Sequence, residues 1–148
     1  LVPKTKRMYI LKDVNREAMS LDIPFGKVAD PLGKGVERCY ALFEYAKANQ
    51  LGVEFLSTYA QAVWSNGVCS ETDAGLKLIV EQSGLNWFEA KQYLDDNSWK
   101  TWAQNNLLDL YKHNKWGVPS FTYENTTVFG QDRLLQIQDA IVSSQQKS

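Results

Sequence analysis

The hydrophobic period of this chain changes once, near its end. Over roughly the first 115 residues, apolar residues recur at i, i+3 and i+4, the spacing of amphipathic helices. The stretch "VPSFTYENTTVF" then reads as two short β-prone runs about a turn at Glu124-Asn125, and "GQDRLLQIQDAIV" returns to a helical period. A lone two-stranded hairpin is marginal in water. Many helices followed by β-β-α therefore call for more sheet than this hairpin, and no other convincing strand is present. The extra strands are expected upstream of Leu1 or from another chain. An opening Leu1 in place of methionine fits a piece of a larger protein.

At 148 residues, with 44% apolar and 22% charged residues, the chain suits one globular domain or part of one. Sixteen basic and seventeen acidic residues leave a net charge of -1. That balance argues against non-specific nucleic-acid binding, which needs a basic face. No apolar run approaches the roughly 20 residues of a membrane span, and no signal-peptide pattern is read. Cys39 and Cys69 form neither a CxxC pair nor a zinc pattern. Cys39 is expected as a core thiol and Cys69 as an inert loop thiol. Nothing demands an oxidising compartment, so a cytoplasmic location is expected.

The first helix is predicted over "KTKRMYILKDVNREAMSLDI", with Met8, Leu11, Val14 and Ala18 inward, and "PFGKVADPLGKG" follows as a loop. Val36, Cys39, Tyr40, Phe43 and Ala46 mark the buried face of a second helix. Val53, Leu56, Tyr59, Ala60, Val63 and Trp64 mark a third. A fourth helix follows Ser70, with Leu76, Ile79 and Val80 inward and Gly84 as its stop. Asn86 with Glu89 resembles a capping box. Ser98 opens a Trp-rich helix whose Trp99, Trp102, Ala103, Leu107 and Leu110 are expected in the core, although one rim aromatic could line a substrate site. In the last helix Leu134, Ile137, Gln138 and Ile141 share one side. The division read from this pattern is 1–115 helical, 116–144 β-β-α, and 145–148 a frayed tail.

Two short motifs can carry chemistry. In "WGVPSF", proline opens a strand, where its missing N–H need not join the ladder. An ordinary trans bond is one reading. A cis bond is the other, and would leave the Val118 backbone free to pair with an extended peptide as an added strand does. In "FGQDRL", Gly130 permits close backbone approach, and Gln131 and Asp132 open a helix. Free N–H groups there suit a carboxylate, and Asp132 suits an ammonium group, so the two ends of an amino acid fit together. The bland alternative is that Asp132 caps the helix. His113, near a helix C-terminus, reads as a partner for exposed carbonyls and not as a catalytic base.

"GVPSF", a hairpin, "FGQDRL" and a terminal helix resemble the end of the DsbA-like branch of the thioredoxin fold. Within it the chain is most similar to 2-hydroxychromene-2-carboxylate isomerases and kappa-class glutathione transferases. "LVPKTKRMYILKD" looks like that family's Pro-Lys-x-Tyr segment, and "IPFGKVADPLGKGVERCYALFEYA" and "WSNGVCSETDAGLKLIVEQSGLNW" continue the likeness. The fold class this implies is α/β: thioredoxin-like with a large all-helical insertion. This chain would contribute the insertion and the C-terminal β-β-α, and would lack the first β-α-β unit with its catalytic serine or cysteine. No residue of this chain takes that role.

The resemblance also assigns binding positions, with glutathione as the implied cofactor. Pro119 matches the family's cis-proline. Val118 would pair its backbone with the cysteinyl part of glutathione, and Gln131 and Asp132 would hold the γ-glutamyl end. Lys6 best matches a lysine that reaches the glycyl carboxylate. That match needs one inserted residue, which leaves Lys4 as a rival and a solvated basic helix start as the bland reading.

Three functions follow as expectations. The first is a glutathione-dependent isomerase or transferase acting on a hydrophobic, aromatic small molecule, with a homodimer as the candidate assembly and without nucleic-acid or membrane partners. The second is a DsbA-type thiol-disulfide oxidoreductase. The third is a non-catalytic helical binding or dimerisation module. An upstream serine favours the first, CxxC the second, and neither the third.

Overall fold

The computed structural model describes residues 3–146. Its elements follow the expected order of helices and then β-β-α. Two compact units divide inside one helix, the first ending at Trp99 and the second beginning at Lys100.

In the first unit, helices α1 (Lys4–Ser20), α2 (Lys34–Ala48), α3 (Gly52–Trp64), α4 (Asp73–Gln82) and α5 (Trp87–Ala90) form in turn. The core is built by α2 to α5 around Leu42, Phe55, Val63, Leu76, Ile79 and Val80. Leu76, Ile79 and Val80 point inward as their spacing predicts. Gly84 stops α4 with φ +84°, a conformation that costs other residues. The cap of α4 is Thr72, whose side chain accepts from Gly75 N–H at 3.1 Å, and not Ser70. Ser70 is buried and pairs with the Tyr59 hydroxyl at 3.0 Å. Asn86 caps α5 through Phe88 N–H, but Glu89 does not close a capping box. Its carboxylate accepts from the Tyr45 hydroxyl at 2.9 Å instead.

The structure corrects several inward faces. On α1, Met8, Leu11 and Val14 are exposed and only Ala18 is buried; Leu11 lines a groove between this helix and residues 25–30. On α2 the buried stripe centres on Leu42 and Tyr45; Cys39 and Ala46 belong to it, while Tyr40 is exposed and Val36 and Phe43 are half-buried. On α3 the buried set is Phe55, Tyr59, Ala62 and Val63, leaving Val53, Leu56, Ala60 and Trp64 exposed. Opposite a polar face of Glu54, Ser57, Thr58 and Gln61 the apolar arc is wide, so two overlapping stripes satisfy the helical period. Packing selected the one that buries Phe55.

Helix α6 (Ser98–Lys112) starts where expected but is not core. None of its residues is buried; Trp99, Trp102, Ala103 and Leu110 are half-buried and Leu107 is exposed. The Trp99 ring tilts against Tyr40 with centroids 5.6 Å apart.

The second unit ends in β1 (Ser120–Tyr123), β2 (Thr126–Phe129), a 3-10 turn at Gln131–Arg133 and α7 (Leu134–Gln145). The strands pair antiparallel from Ser120–Phe129 to Tyr123–Thr126. Glu124 takes the left-handed backbone (φ 48°) of a tight hairpin turn, and its carboxylate accepts from Ser144 Oγ at 2.8 Å. That bond ties the turn to α7, which packs on both strands. Ile137, Ala140, Ile141 and Ser144 form the half-buried side of α7, whereas Leu134 and Gln138 are exposed. Helix α7 runs into the tail expected to fray, of which residues 147–148 lie outside the described residues. Leu1 and Val2 of the expected N-terminal motif lie outside them too.

Candidate functional site

The second unit brings Val118, Pro119, Gln131 and Asp132 together at one end of the hairpin. Gly130 N–H donates to the Pro119 carbonyl at 3.0 Å, so the residue after β2 is tied to the residue before β1. The Val118–Pro119 peptide is cis, as the resemblance implies. Val118 is 77% exposed, and its backbone N–H and C=O make no hydrogen bond among the described residues. One residue earlier, Gly117 is held by its carbonyl, which accepts from Ser120 Oγ at 2.6 Å. A Cβ on Gly117 would lie 2.9 Å from the Phe129 ring, so glycine lets the two segments close.

Gly130 has φ +95°, and a Cβ there would collide with Asp132 Oδ1. The Asp132 carboxylate thus lies back over the glycine. It caps nothing: neither the 3-10 turn nor α7 has a side-chain cap. Its side chain is 73% exposed, with Arg133 Nε 3.4 Å from Oδ2. An open concavity of about 460 Å³ adjoins it, walled by Trp116, Phe129, Gly130, Asp132 and Arg133. The Trp116 and Phe129 rings are 5.7 Å apart. Sequence reading assigned no role to Trp116 or Arg133, although each lies within a quoted motif. Lys6 and its rival Lys4 belong to the first turn of α1, in the first unit.

His113 takes the role read for it. Its Nδ1 lies 2.8 Å from the Asp109 carbonyl at the end of α6. Among the described residues no cluster of His, Cys, Asp and Glu could hold a metal, and no helix is long and apolar enough to cross a membrane.

Both cysteines are free, Cys39 buried and Cys69 exposed. Burial pushes the Cys39 thiol up from 9.0 to about 12. The unfolded thiol ionises first, so this contribution to stability is present below about pH 9 and lost as pH rises toward 12. A thiol reagent at pH 8 should therefore modify Cys69 at once and Cys39 only as the unit opens. Equal, immediate modification of both in the folded chain would contradict the buried position of Cys39.

An exposed backbone segment ahead of an antiparallel hairpin, closed by a helix and accompanied by a large helical unit, defines a thioredoxin-like protein with a helical insertion. The sequence matches the DSBA-like thioredoxin domain over residues 3–142, and the chain belongs to that family. Among solved structures it is similar to a 2-hydroxychromene-2-carboxylate isomerase, with a TM-score of 0.72 and 19% identity, over 97% of this chain and 70% of that one. No curated protein matches the sequence.

Proposed function

We propose that this chain is part of a glutathione-dependent isomerase or transferase acting on a hydrophobic aromatic small molecule. The observation that carries the reading is the Gly130–Pro119 hydrogen bond, which ties the segment that holds the unpaired Val118 backbone to the segment that opens with Gly130 and leads into Asp132. An extended peptide can pair with such a backbone, and an ammonium group can pair with such a carboxylate. The γ-glutamyl and cysteinyl parts of glutathione present these two features one after the other. Asp132 is exposed and spends no hydrogen bond on helix capping, which fits a ligand role. Gln131, its neighbour in the chain, adds a neutral amide. Bound glutathione would supply a thiolate able to add reversibly to a conjugated bond. The chain's own residues bind and orient it. The catalytic serine or cysteine is proposed to lie outside these 148 residues. The isomerase-like fold of the structural neighbour supports this choice of reaction.

A DsbA-type oxidoreductase is the alternative, because the Val118 backbone could equally grip a polypeptide; a CxxC in place of serine would decide for it. The test is turnover of 2-hydroxychromene-2-carboxylate with glutathione. The 148-residue chain should be inactive, and the protein with its complete thioredoxin-like domain active. Turnover by the short chain that survives Cys39→Ser and Cys69→Ser would refute the proposed division of labour.

A further inference from the structure

We propose that Asn66–Gly67 is a site of spontaneous deamidation, and that the isoaspartate formed there releases residues 26–29 from the end of α3. This rests on the helical unit alone and not on the function proposed above. "SNGV" holds the only Asn-Gly pair in the chain. Glycine has no side chain to obstruct its own nitrogen. The Gly67 backbone nitrogen attacks Asn66 Cγ and gives up its proton. The Cγ–Nδ2 bond breaks, the amide group leaves with that proton as ammonia, and a five-membered succinimide remains. Water then opens the ring. Opening at the side-chain carbonyl gives aspartate. Opening at the main-chain carbonyl gives isoaspartate, whose backbone runs through Cβ and Cγ and is one carbon longer.

The surroundings favour this pair over the other asparagines. Asn66 and Gly67 are both exposed, and the Asn66 carboxamide makes no hydrogen bond among the described residues. Asn66 pairs with Lys27 in an isolated bridge, and a surface bridge of one residue opens locally at little cost. In Asn97–Ser98, the pair with the next smallest follower, the attacking N–H already donates to Asp96 Oδ1 at 2.8 Å. An extra backbone carbon after Asn66 also falls where register matters. The last carbonyls of a helix need partners from outside it. Here Ala29 N–H donates to the Val63 carbonyl at 2.7 Å, Gly26 to Trp64 at 3.2 Å and Lys27 to Ser65 at 3.2 Å. Val68 N–H donates back to Ala62 at 2.9 Å. Residues 65–67 must therefore keep step with Lys27 while Val68 stays anchored, and a longer chain between Asn66 and Gly67 breaks that match. The new carboxylate adds to the effect, because it lies at the negative end of the α3 dipole, whose last turn holds no basic residue. Gly26 and Val28 line the groove facing α1 together with Trp64, so the released segment takes part of that groove's wall with it.

The test ages the 148-residue chain at mildly alkaline pH. Peptide mass spectrometry follows each asparagine, an S-adenosylmethionine-dependent isoaspartyl methyltransferase detects isoaspartate, and amide hydrogen exchange reports opening. The peptide holding residue 66 should show the amide-to-acid mass change before any other asparagine peptide, with isoaspartate in excess over aspartate. Exchange protection at Gly26, Lys27 and Ala29 should be lost in step with isoaspartate, while the buried Leu42 and Ile79 amides stay protected. Asn66→Gln would have to close a less favourable six-membered ring, so it should keep both its mass and its protection. Fresh Asn66→Asp carries the charge without the extra carbon and should keep most of its protection. Prolonged methyltransferase treatment re-forms the succinimide and drains isoaspartate to aspartate, so it should restore protection in the aged chain. Reaction of another asparagine first, or reaction of Asn66 only in denaturant, would overturn the site. Isoaspartate that accumulates with residues 26, 27 and 29 still protected would overturn the release. So would loss of protection in Asn66→Gln at the wild-type pace, or equal loss in fresh Asn66→Asp.

Discussion

Phe55→Ala should lower the stability of the helical unit by about 3–5 kcal/mol, the usual cost of emptying a buried aromatic position. Phe55 is fully buried among α2, α3 and α4, with its ring 6.3 Å from that of Tyr59. No neighbouring side chain is free to collapse into the void, since Leu42, Val63, Leu76 and Ile79 are themselves fully buried. A domain's total stability is about 5–15 kcal/mol, so the loss is a large share of it. At about 4–8 °C per kcal/mol for a unit of this size, the melting temperature should fall by more than about 12 °C. Phe88→Ala is the control. That ring is 76% exposed, and its removal should change stability by no more than about 0.5 kcal/mol. Both melts can be followed by circular dichroism and by Cys39 modification. Equal behaviour of the two variants would mean that the core is not organised around Phe55.

Asp132→Asn should weaken glutathione binding on the order of tenfold or more while leaving stability nearly unchanged. A charge-assisted hydrogen bond to an ammonium group contributes roughly 1.5–3 kcal/mol. Asparagine keeps the shape that lies over Gly130 but removes the charge. Stability has little to lose: Asp132 caps no helix, and its contact with Arg133 is exposed, a class of pair worth about 0–1 kcal/mol. The measurement is calorimetric titration of glutathione into wild-type and variant forms of the protein with its complete thioredoxin-like domain, with melting curves alongside. Unchanged affinity with a large fall in melting temperature would make Asp132 a structural residue and remove the basis of the proposed clamp.

The element order, the hairpin and the closing helix were legible in the residues because each rests on local chemistry. Period 3.6 against period 2, a proline at a strand start, a turn at Glu124-Asn125 and a glycine stop at Gly84 all act within a few residues of themselves. The pairing of β1 with β2 followed from the same signals. Burial was less legible. On α3 two apolar stripes fit the period, and only the approach of α2 and α4 selected Phe55 over Val53 and Leu56. On α6 the tryptophans looked like core, yet they are only half-buried, and helical spacing does not set how deeply a face is covered. The motif residues Val118 and Asp132 could be named from the chain, but a bond between positions 119 and 130 is what ties their two segments together. The groove at Trp64 had no sequence signal at all. It arises where α1 stands off from residues 25–30, and a gap between segments distant in sequence has no local pattern to announce it.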